Sequence, residues 1–156
     1  MSYFLVLQGC PANKWVAPYF ALLAHEAGAT VNSIYRGDDA KSILRAHGKH
    51  TQRELYDTLP PGVANPPGRS THELRSDGVA YRGPIGRTLE WWQQGIDVND
   101  GDVERMKEVA GWHGWHLFQP YRSGVEFHHL NFASQPHPRG TTRAKIIWYR
   151  KTMPSH

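Results

Sequence analysis

Apolar positions recur along the chain with two different periods, and the switches between them divide it into elements. The run Phe4-Leu5-Val6-Leu7 stops at Gly9-Cys10-Pro11 and predicts a first strand over residues 1–8. Val16, Phe20, Leu23 and Ala24 then repeat at helical spacing, with Asn13 as the cap and Gly28 as the stop, so a helix through about Ala27 is expected to cover a sheet. The β-branched stretch 29–35 predicts a strand that delivers Arg36 at its end. Asp38 or Asp39 caps a second helical region from Ala40 to about Leu59, interrupted near Gly48 and closed by Pro60-Pro61.

Residues 60–69 are rich in proline and glycine and read as a surface loop ending at Ser70. Asp77-Gly78, Arg82-Gly83-Pro84 and Gly86 punctuate 73–90, which predicts a long ordered loop or a small hairpin. Apolar character resumes over 91–98 as a strand carrying Asp97. A third helix then starts at Asn99 or Asp100 and buries Val103, Met106, Val109 and Ala110. Residues 115–121 and 125–132 are expected to pair antiparallel around Arg122-Ser123-Gly124, and 144–149 reads as a last strand. The pattern predicts an α+β fold, a small antiparallel sheet packed against about three helices. One domain spans 1–150, and residues 151–156 are expected to fray.

At 156 residues the chain is long enough to bury a core, and its 15 glycines and 11 prolines favour ordered loops over a helix bundle. A single cysteine, Cys10, excludes an internal disulfide framework and a cysteine zinc site, so any zinc must be held by histidines and carboxylates. With no basic leader and no run of membrane-spanning length, a cytoplasmic protein that does not insert into membranes is expected. Net charge is +4, and Arg139, Arg143, Lys145, Arg150 and Lys151 suit a polyanion such as nucleic acid or an anionic cell wall. No helix-turn-helix, RNP or zinc-finger pattern supports nucleic acid.

The candidate chemistry centres on Glu126-Phe127-His128-His129, a carboxylate three residues before an imidazole. A second imidazole stands at His72 in Ser70-Thr71-His72, a carboxylate at Asp97, and an arginine at Arg36. His72, Asp97 and His129 supply two nitrogens and one oxygen, which suits a four-coordinate catalytic zinc whose last position holds water, with Glu126 as the base for that water. Residues three apart in a regular strand face opposite ways, so Glu126 must precede the strand or sit at a bulge. Otherwise His128, which would share its face, is the alternative ligand. The pairs His47/His50 and His113/His116 have ligand spacing but no neighbouring carboxylate with an evident base role.

Taken in order, Tyr35-Arg36, Ser70-Thr71-His72, Asp97, Gly114-Trp115 and Glu126-Phe127-His128-His129 are similar to the motifs of the M15 family of zinc peptidases. That family comprises D-Ala-D-Ala carboxypeptidases and dipeptidases, and phage endolysins that cut peptidoglycan stem peptides. The family keeps its Ser-x-His histidine and its aspartate close together, whereas here 25 positions (97 minus 72) separate them. An insertion from Glu73 to about Trp92 accounts for this and resembles endolysin peptidases of phages infecting actinobacteria; Asp77 is the alternative ligand. The resemblance implies an M15/Hedgehog-like fold, one Zn²⁺ on His72, Asp97 and His129, and Glu126 as base. It further implies Arg36 as the donor to the developing oxyanion, and Ser70, His128 and Tyr35 as substrate contacts. The implied protein is a monomer that is stored in the host cytoplasm and then hydrolyses peptidoglycan. The bond cut is L-Ala–D-Glu in endolysins and the terminal D-Ala linkage in carboxypeptidases. The competing class is a non-catalytic module binding glycan or nucleic acid.

Overall fold

The computed structural model describes residues 4–75, 89–121 and 127–155. Strands β1 (Phe4–Leu7) and β2 (Cys10–Asn13) form a hairpin, paired from Phe4 with Asn13 to Leu7 with Cys10. Both loop residues, Gln8 and Gly9, have positive φ (50° and 76°), the conformation whose twist matches a two-residue hairpin. Gly9 therefore marks a turn between strands, not the end of one, and β2 was not anticipated. The Gln8 side chain carries the pairing onward: its amide donates to the Ala29 carbonyl and accepts from the Val31 N–H.

Asn13 Oδ1 accepts from the N–H groups of Trp15 and Val16 and so starts helix α1 (Ala17–Ala27), which Gly28 ends in the left-handed conformation. Residues 17–24 of α1 are all buried, because the helix packs against the hairpin and against two later helices, Val103–Trp112 and Thr141–Thr152, rather than against one sheet alone. Strand β3 (Val31–Ser33) follows, then a 3-10 turn (Asp38–Ala40) and helices α2 (Lys41–Ala46) and α3 (Gln52–Thr58). The expected second helix is thus two, split at His47-Gly48, where Gly48 has φ 69°. Thr51 restarts it with a capping box, its hydroxyl accepting from Glu54 N–H while Glu54 accepts from Thr51 N–H.

Strand β4 (Ile96–Val98) is only the end of the predicted 91–98 strand, since Trp91–Gln93 forms a 3-10 turn. Helix α4 (Val103–Trp112) buries Val103, Met106, Val109 and Ala110, the stripe that the spacing predicted. Strands β5 (Leu117–Phe118) and β6 (His129–Phe132) pair antiparallel as expected and complete a four-stranded antiparallel sheet of order β3-β4-β6-β5. The molecule is α+β, with small antiparallel sheets and, among the described residues, five α-helices instead of about three.

Residues 144–149 lie inside helix α5 (Thr141–Thr152), not in a strand. Their β-branched and aromatic content suggested a strand, but Ile146 and Tyr149 share one helical face and, with Met153 just after the helix, pack on the central core. In the tail that was expected to fray, the Pro154 carbonyl accepts from Val6 N–H at 2.8 Å and Ser155 bridges to Leu5. The core runs from the hairpin through α1 and the sheet to α5. Phe20 of α1 stacks on Phe132 of β6 at its centre, with ring centroids 5.6 Å apart. The predicted loop within 73–90 falls largely outside the described residues.

Candidate metal centre

Strand register brings the first two candidate ligands together. Asp97 and His129 are directly opposed in the β4–β6 ladder, and Ser33 opposes Asp97 on β3. Opposed side chains stand on the same face of a sheet, so Ser33, Asp97 and His129 form one row. Ile96 and Leu130, also opposed, fill the other face and are fully buried in the core. One alternation of apolar and polar residues therefore fixes both the packing and the site.

The third candidate comes from a short turn (Thr71–Glu73) built around Ser70. Ser70 Oγ accepts from His72 N–H at 3.2 Å, and Glu73 Oε2 accepts from the N–H groups of Gly68 (2.8 Å) and Ser70 (3.3 Å). The turn is moored to the segment after β3, where Arg36 N–H donates to the His72 carbonyl at 2.7 Å. His72 Nδ1 lies 2.6 Å from the Ile34 carbonyl, which can only accept, so this nitrogen carries the proton. Its Nε2 is left with a lone pair facing β4 and β6.

Three potential ligand atoms meet in a nearly equilateral triangle. His72 Nε2 is 3.0 Å from His129 Nδ1 and 3.1 Å from Asp97 Oδ1, and His129 Nδ1 is 3.1 Å from the same oxygen. A tetrahedral zinc site with bonds of about 2.0–2.1 Å needs ligand atoms about 3.3 Å apart, so the donor set fits within a few tenths of an ångström. The chemistry of the triangle points the same way. A proton on His129 Nδ1 can serve the contacts it makes, but it leaves His72 Nε2 and Asp97 Oδ1 as two acceptors face to face. A cation among them turns that repulsion into coordination.

All three residues are buried, and among the described residues they form the one such convergence of histidine, cysteine or carboxylate groups. Burial, with help from the Arg36 charge, pushes the His72 imidazolium down to about 4, so the ring is neutral near pH 7 as a metal ligand must be. Burial alone would raise the Asp97 carboxyl. The imidazoles that surround the carboxylate, His72 first and then His128 and His129, outweigh burial and hold Asp97 well below the usual carboxylate range.

Around the triangle stands a shell that fixes it. Arg36 Nη1 pairs with Asp97 Oδ2 at 3.0 Å and reaches Ser33 Oγ at 3.3 Å, while its Nε donates to Gln52 Oε1 at 3.0 Å. Gln52 is itself buried and donates to the Asn65 carbonyl at 2.8 Å. Because Arg36 occupies Oδ2, Oδ1 is the oxygen left facing the imidazoles. Gly95 lies directly beneath His129: a Cβ there would fall 2.3 Å from His129 Cε1 and 2.9 Å from Thr71 Oγ1.

Two clefts flank the triad and meet at Arg36. The smaller, about 190 Å³, is lined by His72, His129, Ser70, Arg69 and Asn131; the larger, about 590 Å³, by Asp97, His128, Lys49, His50 and Asp100.

The expected site residues thus have distinct fates. His72, Asp97 and His129 converge, with Arg36 at their edge. His128 lines the larger cleft, 3.6 Å from Asp97 Oδ2, and is not one of the converging three. Ser70 lines the smaller cleft, but its hydroxyl is engaged in capping the His72 turn. Tyr35 was expected to touch substrate; it is instead fully buried, stacked on Phe4 with its hydroxyl bonded to Asp39, and lines neither cleft. Glu126 and Asp77 lie outside the described residues; β6 begins at His129, three positions after Glu126. Of the rival histidines, His50 faces Glu54 at 3.9 Å, and His113 is held between Glu26 and Thr142.

Sequence reasoning missed Ser33, Gln52 and the Ile34 carbonyl. The capping box Thr51-x-x-Glu54 was a readable signal for a helix start beside Gln52, but a backbone carbonyl that orients an imidazole leaves no trace in side-chain identity. No family model matches the chain, and no curated protein or solved structure matches it either.

Proposed function

We infer that the protein is a zinc-dependent peptidase of the M15/Hedgehog-like type that hydrolyses an amide bond in the stem peptide of peptidoglycan, as phage endolysins do. The observation that carries this reading is the triangle of His72 Nε2, His129 Nδ1 and Asp97 Oδ1, with sides of 3.0–3.1 Å at the wall of a cleft. Zinc held by these atoms supplies Lewis acidity towards the scissile carbonyl and a water acidified to a pKa of about 7.

The chain's own residues do the rest. Glu126 takes the proton of the attacking water and delivers it to the leaving amine, which frees the amine as the amide bond breaks. Arg36 spends Nε and Nη1 on Gln52, Asp97 and Ser33, while its Nη2 donors have no protein partner among the described residues. They are the donors assigned to the oxygen that becomes anionic, a role worth about 3 kcal/mol in other enzymes. Neutral His72 and anionic Asp97 hold the metal without having to lose a proton first. Peptidoglycan is polyanionic, and the net charge of +4 favours association with it.

The test is release of free amino groups from purified cell walls. Activity is expected with zinc, lost on chelation and restored by zinc. A Glu126→Ala variant should retain zinc and lose at least about 100-fold in kcat. Walls left intact by the zinc-loaded protein, with metal-independent binding to them, would support the binding-module reading instead.

A further inference from the structure

The positive charge of the chain is gathered at one end. Residues 127–156 contain five Lys or Arg and no Asp or Glu, whereas residues 1–126 hold the other 13 cations against all 14 acids. Four of the five, Arg143, Lys145, Arg150 and Lys151, stand on helix α5. Of these four, Lys145 alone has an acid partner among the described residues, Glu26 at 3.9 Å. Arg150 turns instead to Trp15, donating from Nη2 to its carbonyl at 3.3 Å with the guanidinium 5.6 Å from the indole centre.

Helix α5 has two faces of different chemistry. Ile146 is buried in the core. On the opposite side, residues four apart form two neighbouring rows, Arg143-Ile147-Lys151 and Ala144-Trp148-Thr152, and all six are exposed. Trp148, at 59%, is the most exposed large apolar side chain among the described residues, and Ile147 beside it is 45% exposed. The two share the middle of the helix, with Arg143 one turn before Ile147 and Lys151 one turn after it. Next to Trp148 opens a mostly apolar slot of about 330 Å³, lined by Leu7 of the hairpin, Ala21 of α1, and Trp148, Met153 and Pro154.

A soluble polyanion would meet these cations but would gain nothing from Ile147 or from an apolar slot. A bilayer with anionic headgroups uses both, because apolar side chains enter the boundary between headgroups and acyl chains while long cationic ones reach back to the phosphates. We propose that the outer face of α5 docks on an anionic membrane surface, with Ile147 and Trp148 entering that boundary and Arg143, Lys145 and Lys151 pairing with lipid phosphates. The helix lies on the surface and does not cross it: no helix among the described residues is long and apolar enough for that. The core that Ile146 joins lies on the Ile96 and Leu130 face of the sheet, and the triad row stands on the other face, so docking leaves both clefts uncovered. The inference does not need the peptidase reading.

The test is sedimentation with vesicles of phosphatidylcholine alone and of phosphatidylcholine with about one third phosphatidylglycerol, at near-physiological salt. Soluble polyglutamate, titrated in parallel, offers the same sign of charge with no acyl phase. The wild type is expected to bind the anionic vesicles at least ~10-fold more tightly than the neutral ones, with tryptophan emission quenched by lipids brominated in the acyl chains. Trp148→Ala and Ile147→Ser should each weaken vesicle binding by about 5-fold or more and leave polyglutamate binding unchanged. Arg143→Gln with Lys151→Gln should weaken both by at least ~10-fold, and Lys41→Gln, on α2, neither. An unchanged melting temperature shows that each variant is folded; should Trp148→Ala be destabilised, Ile147→Ser decides in its place. Equal binding to neutral and anionic vesicles, or wild-type vesicle binding by the Ile147 and Trp148 variants, overturns the proposal. Binding to polyglutamate without binding to vesicles overturns it too and makes the face a polyanion site. Hydrolysis of cell walls enters none of these readouts, so failure of the peptidase reading leaves the docking face standing.

Discussion

At the scale of single residues, the site is built from ordinary groups whose freedom has been removed. The Ile34 carbonyl fixes the tautomer of His72, Arg36 fixes which oxygen Asp97 offers, and the missing side chain of Gly95 makes room for His129. Gly95→Ala should therefore push the imidazole aside and weaken zinc binding by about 10-fold or more while the protein still folds, as read by competition with a chelator. An affinity equal to wild type would show that His129 is not confined as described. Acid should act through the same buried groups in the metal-free protein. The folded pKa of His72 is about 4, below an unfolded value of about 6.5, so the unfolded state takes up the proton first as pH falls. Its contribution is complete above about pH 6.5 and drains away towards pH 4, by roughly 3 kcal/mol. Asp97, also depressed, adds its own loss below about pH 4, its unfolded value. Chemical denaturation at a series of pH values should show this slope, and His72→Asn should flatten it between pH 6.5 and 4.

Elements decide how these groups meet. The β4–β6 register puts Asp97 opposite His129, and a capped turn brings His72 in from a segment far away in sequence. The serine before His72 thus acts first through the backbone. Ser70→Ala removes the cap and should cost about 1 kcal/mol of stability and loosen zinc binding, whereas Ser70→Thr should retain most of both. Thermal unfolding with and without zinc separates this from a substrate contact, which would leave both quantities unmoved. Much of this level was legible beforehand. The α4 stripe and the antiparallel sense of the β5–β6 pairing were both expected, although the pairing covers only Leu117–Phe118 against Asn131–Phe132 of the longer segments predicted. The hairpin at Gln8-Gly9 and helix α5 were not. A turn that needs positive φ can use a non-glycine residue such as Gln8, and Ile146-Ile147-Trp148 has strand-like composition although its burial follows a helical period. The three converging residues were readable as a set, while Tyr35 was misassigned because a pair of adjacent letters cannot say which of the two faces the core.

Over the whole molecule, the sheet and the 70–75 turn are joined at the site by the triad, by Arg36 and Gln52, and by the contact of Arg36 N–H with His72. Zinc that binds only the folded state should therefore stabilise the entire domain, by about 2.7 kcal/mol at a free concentration 100 times its Kd. A rise in melting temperature that saturates with zinc and is reversed by chelation is the expected result. The central claim is that one ion joins three distant side chains, and the most direct test is elemental analysis of zinc in protein purified after equilibration with the metal. One zinc per chain is predicted for the wild type and for His113→Ala, and none for His72→Ala, Asp97→Ala or His129→Ala. Wild-type zinc content in both histidine variants of the triad would contradict the account.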